Sequence, residues 1–463
     1  MKEHLKETFF QSIFALMTSQ IIIKIMGLFY KLYITNRTGF GDEGNAIANS
    51  AFQIYALALS FTSIALPSAM SKIIAEYTSI GDHKNADRIF KVSLMIFSLI
   101  GAITSFGLIC FSKFLAVKYL KIEEAETSII VLAPSVFLSA ITSVFKGYYA
   151  GREQIRKTAK SQTWEQFFKI ISSIILIESY VYITKTICTE NMAMLSNLAV
   201  TIGNVVELII FLKEYKKMLP EINFEKENSV NQSKIKYFYI IKEIMKISIP
   251  ITLTALISAL SKNIDTLTIV NGLKNRVGYE IAKKEYGILS GKIDTLITLP
   301  LSLNMAITTA LLPKIVSAGN NCKEIRRRII QALKITLFLS IPIFLMYFLL
   351  SNNIIKILFP KAPEGGEILK ISSFSIIFIS IEQIAHVVLH GLGKSFQPII
   401  SITIGLFIKV ILNYYLVIEN LCNMGGARGI AVSTLACHII VCVISMVQII
   451  KKIKEKDEKR RIL

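Results

Sequence analysis

The stretch GYYAGREQIRKTAKSQTWEQFFKI, Gly147–Ile170, decides how this chain folds. It opens with small residues and two tyrosines, turns densely basic through Arg152, Arg156, Lys157 and Lys160, and returns to apolar sequence around Trp164, Glu165 and Lys169. Charge this dense belongs in water, yet the apolar runs on either side are about 20 residues long, the length that crosses a bilayer as a helix. The stretch therefore reads as a short solvent-exposed turn between two membrane helices with chemically loaded ends.

The same alternation runs through the whole chain. Of 463 residues 53% are hydrophobic, and the mean hydropathy of +0.55 is above the balance soluble domains keep. Apolar windows place spans near 9–35, 47–75, 89–112, 127–150, 162–184, 192–212, 247–272, 287–313, 329–351, 368–391, 396–418 and 427–450. The runs are continuous, which excludes the short alternating strands of a barrel. The fold class expected is an all-α polytopic membrane protein, with about twelve transmembrane helices in two pseudo-symmetric six-helix lobes around a central cavity. The first run is too long for a cleavable signal and carries Lys24 and Lys31, so it is expected to remain as a span.

A net charge of +20 would suggest nucleic acid in a soluble protein, but the basic residues sort by side of the membrane. With both termini cytoplasmic, 31 of the 52 Lys and Arg fall on that side, 13 on the other and eight lysines within or at the edges of spans. The asymmetry accounts for the charge without a nucleic-acid partner and sets both termini in the cytoplasm. The six cysteines form no metal-type pairing, and no cofactor or structural metal is expected.

The longest polar connection separates six spans from six. The expected division is a lobe over 1–212, a cytoplasmic linker over 213–246, a second lobe over 247–450 and a basic tail over 451–463. A repeat at an offset of 240 supports duplication: Gly151 and Gly391 each end a span, Lys169 and Lys409 each follow 18 residues later, and Lys146 maps onto His386. LPSAMSKII (Leu66–Ile74) is echoed by LLPKIV (Leu311–Val316). Six spans per half put the repeats in one orientation, an arrangement in which transporters hold substrate between the halves.

Ionised side chains are costly at mid-bilayer, so those found there point to a polar interior. The lysines are Lys24, Lys31, Lys72, Lys146, Lys169, Lys262, Lys292 and Lys409, and the acids Glu165, Glu178, Glu207, Asp265, Asp294 and Glu382. Two readings are open: the lysines line a hydrated cavity and attract an anionic substrate such as a diphosphate, or each pairs with an acid or reaches the headgroups. Lys24, Lys31, Lys262, Lys169 and Lys409 are the candidate cavity cations. Lys262 and Asp265 are three apart and within pairing reach on a helix. Lys72, Lys146 and Lys292, nearer span ends, fit the second reading. Glu382, His386 and His390 share one face at a spacing of four, a geometry that could bind a metal or relay protons, or else a polar stripe facing the cavity or the span's cytoplasmic end; with Asp265 and Glu165 they are the candidates for ion coupling, to H+ or Na+, or for pairing. Pro67, Pro134, Pro250, Pro300 and Pro342 are expected to bend their helices. No phosphate-binding loop, zinc-hydrolase motif or nucleophile elbow occurs, which points to transport rather than catalysis.

The quoted stretch resembles the signature after the fourth span in the stage V sporulation protein B and polysaccharide transporter branch of the multidrug/oligosaccharidyl-lipid/polysaccharide (MOP) flippase superfamily, related to lipid II flippases. Gly147, Tyr148, Gly151, Ser161, Gln162, Glu165 and Gln166 match it. ALPSAMSKIIAEY (Ala65–Tyr77), YGILSGKIDTLITLPLSLNMAITTALLPKI (Tyr286–Ile315) and the opening IIIKIMGLFYKLYI extend the resemblance over nearly the whole chain. It implies a protein of a bacterial plasma membrane that moves polyprenyl-diphosphate-linked saccharides or peptidoglycan precursors outward, with cavity cations engaging the diphosphate of this anionic glycolipid. Two departures stand out: twelve spans where lipid II flippases have fourteen, and lysine where arginine is common on the first helix, a point charge in place of a planar fork. Two competing functions remain. One is an ion-coupled exporter of organic cations of the MATE type, using Asp265, Glu382 and Glu207. The other is a membrane scaffold for cell-envelope synthases.

Overall fold

All twelve expected spans coincide with helix in the computed structural model, which describes residues 9–227, 229, 236–319, 321–421 and 425–462. The helices are α1 (Phe9–Thr35), α2 (Gly41–Thr62), α3 (Leu66–Ser79), α4 (His83–Cys110), α5 (Ala125–Gly151), α6 (Ile155–Thr184), α7 (Thr189–Glu227), α8 (Tyr237–Val277), α9 (Tyr279–Gly287), α10 (Asp294–Ser317), α11 (Cys322–Leu358), α12 (Gly366–Gly391), α13 (Gln397–Asn413) and α14 (Ala427–Ile462). Wider π-helical turns occupy Phe114–Leu120, Ile288–Ile293 and Tyr414–Ile418. No strand occurs among the described residues. Among the described residues ten segments are long and apolar enough to cross a membrane by themselves, counting α2 with α3 as one.

Helix ends follow local chemistry. Asp82 caps α4 by accepting the Asn85 amide at 3.1 Å, and Asn321 caps α11 by accepting that of Glu324 at 3.3 Å. The second expected span is broken in two, because Pro67 sits in the first turn of α3, where its missing N–H costs nothing. Pro67 thus starts a helix instead of bending one. Pro134, Pro250 and Pro342 lie inside α5, α8 and α11, and α11 leaves helical geometry at Leu350.

The chain packs as two units, Met1–Tyr30 with Ser50–Ala259 and Lys31–Asn49 with Leu260–Leu463. This division differs from the expected one in two ways: the stretch Lys31–Asn49 joins the second unit, and the polar connection is mostly helix within the first. Among its lysines and glutamates, Met218 and Ile222 on α7 and Ile240 and Ile244 on α8 keep a helical spacing and are buried in the core of the first unit. The expected basic tail likewise continues α14, where Ile453 is buried beside Ile449.

The first unit's core is an aromatic cluster in which Phe145 stacks on Phe211 at 5.8 Å and Phe90 meets Tyr148 at 4.4 Å. Tyr149 donates its hydroxyl to the Phe211 carbonyl at 3.1 Å. The expected solvent-exposed turn is only Arg152–Gln154, with Glu153 in the left-handed region (φ 61°). Arg152 is not exposed: its guanidinium is buried against Glu225, 2.7 Å away on the extension of α7, so the charge that suggested water is satisfied inside the protein.

Candidate functional site

Within the first unit α1 is fastened along α6. Ser19 donates to the Ala159 carbonyl at 2.9 Å and lies 2.7 Å from the Thr163 hydroxyl; Gln20 donates to Gln162 at 3.1 Å; Tyr30 meets Ser173 at 2.6 Å. This seam sets the cation-bearing faces of both helices. Lys24 on α1 is exposed, and its charge is an electrostatic neighbour of Lys169 on α6. Lys169 holds its ammonium 5.8 Å from the centre of the Phe52 ring. Among the described residues neither lysine makes an ion pair. Glu165 lies one turn before Lys169 on the same helix, within its electrostatic reach. Lys146 on α5 is paired with the buried Glu207 on α7 at 2.9 Å.

The second unit distributes its charges differently from expectation. Lys262 bonds Asp294 of α10 at 2.6 Å, with 42% of its side chain exposed, whereas Asp265 receives Lys409 of α13 at 2.7 Å. Lys262 and Asp265, within reach of each other by spacing, do not pair, because each takes a partner on a neighbouring helix; Ser261 of α8, Asn413 of α13 and Ser433 of α14 complete the surroundings of the Asp265–Lys409 pair. Lys409 is 2% exposed and fully engaged. Lys31 is half-buried in this unit and makes contacts of its own.

Lys292 does not reach for headgroups. It is fully buried, donating to Asp42 at 2.9 Å and to the carbonyls of Ala362 and Glu364 at 2.8 and 2.7 Å. The Lys31–Asn49 stretch is stapled further by Lys283 to Glu43 at 2.8 Å and by Asn36 to the Leu358 carbonyl at 2.8 Å. Sequence reading missed this cluster; the one signal was Asp42–Glu43 at the start of an apolar run, which reads equally well as acids favouring a helix N-terminus. Lys72 is exposed at the rim of a small cleft of the first unit, lined also by Glu76, Tyr77, Tyr239 and Glu243.

Glu382 faces His438 of α14, whose Nδ1 is 2.8 Å from its Oε2, with His386 Nδ1 3.9 Å from Oε1. His390 is exposed and outside this group. His438 was invisible in the α12 spacing because it comes from another helix. No cluster suited to a metal ion occurs among the described residues. Five cysteines are free thiols, and Cys422 lies outside the described residues.

Long apolar helices packed in two units define a multi-pass membrane protein. The chain belongs to the lipid II flippase MurJ family, whose model matches residues 86–462. It is 25% identical over 431 residues to stage V sporulation protein B of Bacillus subtilis strain 168, covering 92% of this chain and 81% of the relative. It is also 25% identical over 421 residues to the lipid II flippase MurJ of the same organism, covering 87% and 76%. An inward-facing multidrug resistance MATE family transporter of the MOP superfamily shares the fold with a TM-score of 0.78, at 13% identity over 96% of this chain and 99% of that one.

Proposed function

We propose that this chain flips a polyprenyl-diphosphate-linked saccharide or peptidoglycan precursor, of the kind named for its lipid II flippase relatives, across a bacterial plasma membrane by alternating access with both termini cytoplasmic. The observation that carries this reading is the placing of Lys24 and Lys169 on the fastened helices α1 and α6, two neighbouring cations that make no ion pair among the described residues, with Glu165 the one carboxylate within electrostatic reach of Lys169. Like charges placed together in a low-dielectric setting are costly, and a diphosphate repays that cost with charge-assisted hydrogen bonds. Lys262 adds a third accessible cation, already shared with Asp294. The organic-cation exporter is left with little: Glu207 is neutralised by Lys146, Asp265 by Lys409, and Glu382 faces His438.

The test is binding of a polyprenyl-diphosphate disaccharide to detergent-purified protein by native mass spectrometry. A net contribution of about 1.5–3 kcal/mol per charged hydrogen bond makes Lys24→Gln with Lys169→Gln bind roughly tenfold weaker or worse per lysine removed. Equal binding by wild type and double variant removes the site. Binding no tighter than that of phosphatidylglycerol removes the substrate.

A further inference from the structure

In each half of the chain an ionisable pair joins the fourth span to the sixth, and in the second half Arg428 with Glu367 joins the same two helices near their other ends. In the first unit the pair is Lys146 on α5 with Glu207 on α7. In the second it is Glu382 on α12 with His438 on α14, and the second imidazole of His386 flanks the same carboxylate. Imidazole is the side chain that changes charge between about pH 5 and 8. The link in the second unit thus contains an imidazole, and the one in the first does not.

Three features make the link a binding site for protons and not a plain ion pair. Both carboxylate oxygens of Glu382 face a ring nitrogen, so a proton held between Oε2 and His438 Nδ1 has a second basic group beside it. His386 Nε2 is buried and has no hydrogen-bond partner among the described residues, which leaves one acceptor open. Neighbouring charges are engaged with partners of their own, Arg428 of α14 with Glu367 of α12 among them. From α13 Lys409 is bonded to Asp265 of α8, and on α10 Asp294 is bonded to Lys262. Lys292, on the π-helical turn Ile288–Ile293, is bonded to Asp42. Towards α12, α11 presents the neutral Ser340, bonded to Ser380, and α10 presents Asn304, bonded to Gln383. The remaining titratable neighbours are Cys437 and Cys442 on α14 and His390 one turn beyond His386.

We propose that Glu382, His386 and His438 form a proton-binding site and that protons passing through it couple transport by this chain to the transmembrane proton gradient. Deprotonated, the cluster is a buried carboxylate hydrogen-bonded to a neutral imidazole. One added proton makes it an imidazolium–carboxylate pair with no net charge, strengthening the tie between α12 and α14. The proton is released when that contact opens.

The coupling rests on the flippase reading; the proton site does not, and two measurements separate them. The first is the thermal unfolding midpoint of detergent-purified protein from about pH 5 to 8, where the imidazole changes charge. Its pH-linked shift is expected to shrink to half or less in Glu382→Gln and His438→Gln and to persist in Glu207→Gln. A shift unchanged in both cluster variants overturns the site. The second is flipping of a fluorescent polyprenyl-diphosphate disaccharide in proteoliposomes under an imposed gradient of about one pH unit, equivalent to a tenfold bias per proton. Wild type is expected to respond several-fold and both cluster variants not at all. Variants that respond like wild type overturn the coupling. Absence of flipping in every protein, with the unfolding shift intact, sinks the flippase reading and leaves the proton site standing.

Discussion

Asp265 and Lys409 illustrate what a buried ion pair does for this protein. Both side chains are almost fully buried, and the aspartate oxygens are also within reach of Asn413. Removing one partner strands a charge, at a cost of about 3–5 kcal/mol, whereas replacing both with apolar groups of similar size is often neutral. Asp265→Asn is therefore expected to lower the thermal unfolding midpoint sharply, and Asp265→Leu with Lys409→Met to recover most of the loss. A double variant no more stable than the single one would show that the pair has a role beyond neutralising itself. Lys24 and Lys169 behave in the opposite sense: neither makes an ion pair among the described residues, so their glutamine variants are expected to fold as wild type does and to lose ligand, the unfolding assay checking the first and the binding assay the second.

At the scale of elements, the signature that identified the chain turns out to be a set of helix-crossing points. A Cβ on Gly147 would collide with Met70, and one on Gly151 would lie 2.7 Å from the Ile74 Cβ, so α5 crosses α3 at a distance only glycine allows. The second unit repeats the device, for a Cβ on Gly391 would lie 2.8 Å from Ile315 Cγ2 on α10. Ile74 and Ile315 fall within the two short motifs whose likeness suggested duplication. Gln162 reaches α1 through Gln20, and Gln166 lies 3.5 Å from where a Gly27 Cβ would be. Gly151→Leu and Gly391→Leu are both expected to destabilise, by about 1–3 kcal/mol or more, because each overpacks a crossing that has no room to relax. Stable expression and an unchanged unfolding midpoint in either variant would mean the crossing is looser than its distances indicate.

For the molecule as a whole, the helices were legible in sequence because bilayer thickness dictates apolar runs of nearly constant length, and all twelve positions carry helix. The partners of the charges were not legible. Lys262 with Asp294, Lys409 with Asp265 and Lys292 with Asp42 join residues 32, 144 and 250 positions apart, and helical spacing says nothing about which face meets which neighbour. The same limit hid His438 and placed the unit boundary in the polar connection, where buried Met218, Ile222, Ile240 and Ile244 were masked by the lysines around them.

Orientation is a property that charge counting does predict for the entire chain, since 31 of the 52 basic residues fall on one side when both termini are cytoplasmic. Two exposed positions on opposite sides of α6 make this decidable. Lys160 lies near its start, and Thr186 lies just beyond its end at Thr184. In a variant lacking the native cysteines, Thr186→Cys is expected to react with a membrane-impermeant maleimide in intact cells, and Lys160→Cys only after permeabilisation. The reverse pattern would put the basic face outside and overturn the cytoplasmic assignment of both termini. It would also remove the proposed direction of transport, because Arg156 and Lys160 would then face the side on which the glycolipid is delivered instead of the side on which it is collected.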